Sequence, residues 1–352
     1  MSGRALPVTL KARPGESAGG YLLRTAEANG HVNVYQMLSG IGFRSHRLAL
    51  AATLSDPMRY MAVAKELGIE SEAQKVVLPR AGSTWASPVK LMDMIVPQAM
   101  LQNDLECFCP RCLEEEPYWR KQWLLRPLAV CVEHECLLIN ECSVCSKPLN
   151  LARGRLTLCG TCGTPFQSMA EDPINVNLIQ DFVTLMKRAS DAARSDAWSF
   201  WRAHEQFEGP GNTPAQNFRR TCLTLEFMVG GGRAVRHIAS EIMHRSSGLH
   251  PRIHLVPFLT ASPSCAGWAE EVISLLPPLD YPLCGKDGRI TLSKTEACSV
   301  LGISQVVLET LIRKGTIKWP LGGRRQQHIA ATEISEYLRS RPERVNEFET
   351  PC

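Results

Sequence analysis

Apolar positions in this chain recur mostly at helical spacing, so the expected fold is mainly α with small β elements. Between Glu16 and Asn29, the residues Tyr21, Leu22, Thr25 and Ala26 share one helix face, and Gly30 supplies a C-terminal stop. Val32, Val34, Met37 and Leu38 predict a second helix halted at Gly40 or Gly42. Met58 to Leu67 predicts a further short helix ended by Gly68, and Ala81 to Pro88 a loop holding Trp85. Short helices joined by a tight turn fit a helix-turn-helix and fit plain helical packing equally, and periodicity does not separate the two. Helical spacing resumes after about Glu171. Leu178, Phe182, Leu185 and Met186 make one stripe, and Cys222, Leu225 and Val229 another. Pro277 and Pro278 mark a break before a small last segment.

That last segment is legible in detail. Ile290 to Leu292 suits a short strand. Ser293 with Glu296 fits a capping box, opening a helix that runs to Leu301 and ends at Gly302. Ser304 caps a second helix carrying Val306, Val307, Leu308, Leu311 and Ile312, ended by Gly315. Ile317 to Trp319, the Gly322-Gly323 turn and Gln326 to Ile329 predict a β-hairpin wing, and Thr332 starts a last helix through Tyr337 and Leu338.

The 352 residues suit two or three domains, and 44% apolar content allows a sizeable core. A net charge of +4 is compatible with nucleic acid or an acidic protein and selects neither. The first twenty residues carry Arg4, Lys11, Arg13 and Glu16 without an apolar run, so no signal peptide is expected. No window reaches ~18 uninterrupted apolar residues, so no membrane span is expected and the chain is expected in the cytoplasm. In that reducing setting its 14 cysteines read as metal ligands before disulfides.

Nine of those cysteines fall between Cys107 and Cys162. Cys109-Pro-Arg-Cys112 is followed after eighteen residues by Cys131-Val-Glu-His134. Seven residues on stands Cys142-Ser-Val-Cys145, then after thirteen more Cys159-Gly-Thr-Cys162. A two-residue spacer lets one tight turn place two ligands on a single ion, and four such pairs supply two tetrahedral zinc shells. Gly160 and Gly163 suit turns that need a positive φ. Eight protein ligands leave no open position, so two structural Zn2+ ions per chain are expected and no catalytic one. Sequential pairing gives one site of three cysteines and a histidine and one of four cysteines, while an interleaved cross-brace would use the same eight residues. Cys107 and Cys136 are left over, either as ordinary thiols or as replacements for a neighbouring ligand.

No enzyme signature accompanies the ligands. His134 is followed directly by Glu135 and Pro110 lies inside its cysteine pair, so the nucleic-acid deaminase pattern fails twice. Gly230-Gly231-Gly232-Arg233 lacks the Lys and Ser or Thr of a Walker A loop. The chain is therefore expected not to be an enzyme. It divides into a helical, helix-turn-helix-like region at 1–105, a tandem zinc-finger block at 106–170, a helical region at 171–280 and a winged helix-turn-helix-like unit at 286–341.

Two resemblances follow from these residues. Leu292-Ser293-Lys294-Thr295-Glu296-Ala297, Leu301-Gly302-Ile303-Ser304, Leu311-Ile312-Arg313-Lys314-Gly315 and Gly323-Arg324-Arg325 resemble the winged helix-turn-helix of excisionase and MerR-like proteins. Carried over, Gln305, Arg313 and Lys314 would be helix contacts and Arg324 and Arg325 wing contacts, to nucleic acid or to a protein partner.

The chain as a whole resembles the TniQ family of transposon target-selection proteins, related to TnsD. Leu6-Pro7, Gly15-Glu16-Ser17 and Tyr21-Leu22-Leu23-Arg24 match the family's opening. The four ligand pairs, with Trp119 and Trp123 between the first two and Leu137-Leu138 after them, match its zinc signature. The likeness is good over residues 1–165 and looser beyond. Val132 and Glu135 depart from the Pro and Gly common around the Cys-x-x-His pair, which bears on loop shape and not on ligation.

The resemblance implies a non-catalytic bacterial adaptor that links a target-recognition event to an AAA+ transposition regulator and its transposase. Members differ in what marks the target: TnsD-type members bind target DNA, CRISPR-associated members dock on an RNA-guided complex, as a homodimer in the Cascade type, and others serve resistance transposons. This chain looks most like the Cascade-docked type. The competing expectations are a sequence-specific TnsD-like site reader and a zinc-containing transcription regulator.

Overall fold

The computed structural model describes residues 6–43, 47–84, 87–102, 107–166, 173–209, 211–245, 249–276, 290–318 and 328–340. Helices dominate them, with three two-stranded sheets among the described residues. The chain divides into two compact units, one of residues 1–189 with 212–222 and one of residues 190–211 with 223–352.

The first unit opens with α1 (Ala18–Ala28), α2 (Val34–Ser39), α3 (Arg47–Leu54), α4 (Pro57–Glu66) and α5 (Glu70–Val76). Each start has a local cause. Ser17, Asn33 and Asp56 accept hydrogen bonds from the first-turn amides of α1, α2 and α4, satisfying donors the helix itself cannot. Gly30, Gly42 and Gly68 sit at left-handed φ just beyond the helix ends. Tyr21, Leu22, Leu23 and Ala26 of α1 are all fully buried. Each large side chain among them contributes roughly 1.5–3 kcal/mol of burial. Val32, expected with the apolar face of α2, lies before that helix and is exposed.

A hairpin of β1 (Val89–Leu91) and β2 (Met94–Val96) follows, then α6 (Pro110–Glu115) and a second hairpin of β3 (Val130–Cys131) and β4 (Cys136–Leu137). The core under α1–α5 is continuous with that of the cysteine-rich block, where Phe108, Trp119, Trp123 and Phe166 are buried. Trp119 stands edge-on to Trp123 and to Phe166, with centroids 5.9 and 6.1 Å apart. α7 (Asn177–Arg188) buries Ile179, Phe182 and Met186. Ile179, not the exposed Leu178, completes its inner face.

The second unit contains α8 (Asp191–Glu208) and the end of α9 (Pro214–Met228), whose earlier residues belong to the first unit. Leu225 of α9 is buried, but Val229 lies past the helix end and is exposed, so the expected stripe stops short. α10 (Gly232–His244), α11 (Pro251–His254), α12 (Val256–Leu259) and α13 (Pro263–Ser274) complete a helical core around Phe200, Phe258 and Trp268. The last segment adds β5 (Thr291–Leu292), α14 (Lys294–Leu301), α15 (Gln305–Arg313), β6 (Ile329–Ala330) and α16 (Ala331–Ser340).

Ser293 and Glu296 form the capping box of α14, and Gly302 closes that helix at φ 64°. β6 pairs antiparallel with β5, Leu292 opposite Ile329. The expected hairpin partner at 317–318 is not a strand; residues 319–327, including the Gly322-Gly323 turn, lie outside the described residues. The segment shares the unit's core. Arg252, nearly buried on α11, donates from Nε to the Val300 carbonyl at 2.6 Å and forks onto both Glu270 oxygens.

Candidate metal centre

Cys109, Cys112, Cys131 and His134 converge, and so do Cys142, Cys145, Cys159 and Cys162; within each group the ligand atoms lie within 4.8 Å of one another. The grouping is sequential, not interleaved. In the first group the Sγ atoms of Cys112 and Cys131 are 3.5 Å apart, and His134 Nδ1 lies 3.3, 3.2 and 3.5 Å from Cys109, Cys112 and Cys131. In the second, Cys142 to Cys162 is 3.6 Å and Cys145 to Cys159 3.7 Å. A disulfide needs its sulfurs ~2 Å apart. An ion ~2.3 Å from each sulfur needs them roughly 3.8 Å apart, close to what is found. Each group could therefore hold a metal ion, and both shells are closed by four protein ligands.

Local backbone explains the convergence. Cys109 precedes α6, and Pro110 stands in its first turn, so one helical turn brings Cys112 back to it. The other three pairs turn in a knuckle whose next residue is left-handed: Glu135 at φ 51°, Ser146 at 53° and Gly163 at 74°. In two of them that residue's amide donates to the first cysteine's carbonyl, Ser146 to Cys142 at 2.8 Å and Gly163 to Cys159 at 3.0 Å. Gly163 thus has the role expected of it. Gly160 does not; its φ is ordinary, and it is small because a Cβ there would stand 2.8 Å from that of Arg153. The departure at Glu135 places a β-carbon at this position, as Ser146 does, where the Cys159–Cys162 knuckle uses glycine.

Outer contacts fix the first group. His134 Nε2 donates to Glu115 Oε1 at 2.9 Å, which leaves Nδ1 facing the sulfurs. Arg111 donates to the His134 carbonyl, and Arg120 to Glu133 at 2.6 Å. Burial works against a charged His134, yet Glu115 and Cys131 push it up to about 9. Hydrogen bonds from Cys109 and Cys112 drive the Cys131 thiol far down, while Cys109 and Cys131 drive Cys112 far up. Three sulfurs this close cannot all ionise without a cation between them. In the second group the Thr164 hydroxyl and amide hold the exposed Cys162 down to about 6.

The residues missed by spacing are those that join α1 to this block. Ser17 N donates to the Trp119 carbonyl at 2.7 Å, and Lys121 N to the Gly15 carbonyl at 2.7 Å. Gly15 is left-handed at φ 71°. Glu16, fully buried, takes Arg24 Nε at 2.9 Å and Nη2 at 2.8 Å, and the Arg13 amide at 2.9 Å. A Cβ on Gly20 would stand 2.5 Å from that of Trp119, so only glycine lets α1 lie this close. Gly15-Glu16-Ser17 is therefore a clasp onto the chain between the first two ligand pairs. The Arg153 guanidinium lies over the Trp119 ring, 4.1 Å from its centroid.

In the last segment, α14 and α15 are inclined by 99° across Gly302-Ile303-Ser304. Gln305 is exposed and donates to Glu309 at 3.2 Å; Arg313 and Lys314 are exposed at the end of α15. Val306 and Val307 are exposed as well, and of the apolar residues on α15 Leu308 alone is fully buried. Arg324 and Arg325 lie outside the described residues. Among the described residues no single helix is long and apolar enough to cross a membrane.

Small strands and helices clasped around two closed ligand groups define a mainly helical protein with two groups that could each hold a metal ion. The TniQ family model matches residues 7–138, so this part of the chain is similar to that family. The match spans the Gly15-Glu16-Ser17 clasp and the first ligand group and ends before Cys142, short of the likeness read to residue 165. No curated protein matches the chain.

Proposed function

We propose that this chain is a non-catalytic adaptor linking a target-recognition complex, of the RNA-guided Cascade type, to an AAA+ transposition regulator and through it to the transposase. The family match over residues 7–138 carries this reading. Two shells of four protein ligands each support it, since a catalytic zinc keeps a position for water or substrate. Zn2+ is the expected ion in both, from the all-sulfur and sulfur–imidazole ligand sets. The chain would act as a homodimer.

The test is co-purification of the tagged chain with the Cascade-type complex, with and without guide RNA, and separately with the AAA+ regulator. Guide-dependent capture of the complex and guide-independent capture of the regulator are expected. Capture of neither would overturn the reading.

The 99° helix pair with a three-residue turn favours one alternative, a TnsD-like reader of a DNA site or a zinc-containing regulator. That alternative expects sequence-specific binding with a steep salt dependence. It also expects loss of targeting when Arg313 and Lys314, or Arg324 and Arg325, become Ala. The adaptor reading expects little change in DNA binding from either pair.

A further inference from the structure

Cys136 was left over when the ligands were counted, and its surroundings are those of a ligand. It stands directly opposite Cys131 across the β3–β4 ladder. Residues opposed in an antiparallel pair point to the same face of the sheet, so both thiols face the first group. Cys136 Sγ lies 3.7 Å from Cys109 Sγ, the same sulfur–sulfur separation as Cys145 to Cys159 in the second group. It hydrogen-bonds Cys131 as well. The residue is 1% exposed, and its backbone is bridged on the outer side to Pro173. It is thus held against the edge of the tetrahedron formed by Cys109 and Cys131.

The four ligands beside it are not equally anchored. Cys109, Cys112 and Cys131 are all fully buried. His134 is the least buried of the four, its side chain about 10% exposed, and its outer nitrogen is tied to a carboxylate that is itself 59% exposed. An open depression lined by Arg111, Glu133, Glu135 and Ile174 lies on that side. If any ligand leaves, the imidazole is the one that already lines this depression.

We propose that the first centre is a five-donor site in which Cys136 replaces His134, converting a three-sulfur, one-nitrogen shell into a four-sulfur one without loss of the ion. The exchange balances simply: the Cys136 thiol gives its proton to solvent as its sulfur binds, and His134 leaves as a neutral imidazole that takes a proton from solvent. Soft thiolate for imidazole is a substitution that zinc accepts in structural sites. The proposal rests on the metal reading of the site and not on the adaptor role.

The experiment uses the full chain loaded with zinc, and then with cobalt(II) as a spectroscopic probe. His134→Gln keeps an amide that can still reach Glu115 but cannot replace imidazole on the ion. This variant is expected to hold two metals per chain. Its thiolate-to-cobalt band should gain the intensity of one further thiolate, about one seventh of the total. His134→Gln with Cys136→Ser should hold one metal, and Cys136→Ser alone two. One metal in His134→Gln, its failure to fold, or two metals in the double variant would each overturn the proposal. A wild-type chain that binds no metal would instead remove the metal reading beneath it.

Discussion

The two units of this chain are stabilised in different ways. In the second, Phe200, Phe258 and Trp268 sit amid aliphatic helices, and burial of apolar surface accounts for the fold. In the first, seven cysteines, Cys107, Cys109, Cys112, Cys131, Cys136, Cys142 and Cys159, lie within the same buried cluster as Tyr21 and Trp119. Its β3–β4 sheet is two residues per strand. So small a hairpin does not stand alone in water. The lesson is that in the first unit the residues that could hold a metal ion are part of the core itself, while the core of the second unit is built without them.

The strongest test of this contrast is removal of an ion. Structural zinc contributes roughly 10–16 kcal/mol near neutral pH, more than a whole domain's usual stability. Cys109→Ser with Cys112→Ser should therefore unfold the first unit, seen as lost amide protection through α1 to α5, with α10 and α13 still protected. Equal loss in both units would end the comparison. Cys142→Ser with Cys145→Ser should do less. Its group is partly exposed, and the expected loss of protection is confined to about residues 140–166.

Acid should weaken the second unit by another route. Burial, with Arg252 and Arg339 nearby, lowers His250 to about 4; burial, with Arg245 nearby, lowers His254 to about 4. Both values lie below the unfolded one near 6.5, so the unfolded chain binds more protons between them. Stability is full above about 6.5 and is lost as pH falls towards 4. From pH 7.5 to 5 the loss is roughly 1–2 kcal/mol per histidine, read from urea midpoints resolved by unit. His250 Nδ1 accepts the Arg252 amide at 3.3 Å, and His250→Asn should keep that cap and flatten the profile.

Two smaller effects follow. Arg252→Ala removes a guanidinium that holds the Val300 carbonyl and Glu270 together. With Glu270 half exposed, the cost is about 2 kcal/mol, confined to the second unit. Glu135→Gly should stabilise the first unit by about 1 kcal/mol, since the residue is left-handed and a glycine there is unstrained. A drop in melting temperature instead would mean that the Glu135 side chain has its own role beside His134.

The contrast also decides what was readable in advance. Ligand pairs are local, so Cys109 to Cys162 announced themselves by spacing. So did caps such as Ser293 with Glu296, which act over one turn. Long-range contacts left weaker marks. Gly20 looks like any helix glycine until Trp119, a hundred positions on, is found against it. Gly160 was given the wrong reason for the same cause, Arg153 being outside its turn. On α15 the spacing marked a helix but not which of its apolar residues face inward, because so short a helix shows too few turns to tell an inner face from an outer one.

The clasp between α1 and Trp119 has a consequence for the order in which the protein is made. α1 leaves the ribosome about a hundred residues before the tryptophan it must rest on, and that tryptophan is presented by a loop strung between metal ligands. α1 must therefore wait, exposed, until that loop has been made and folded. A chain whose ligand groups stay empty is expected to persist in a protease-sensitive form in which a helix made before the loop settles after it.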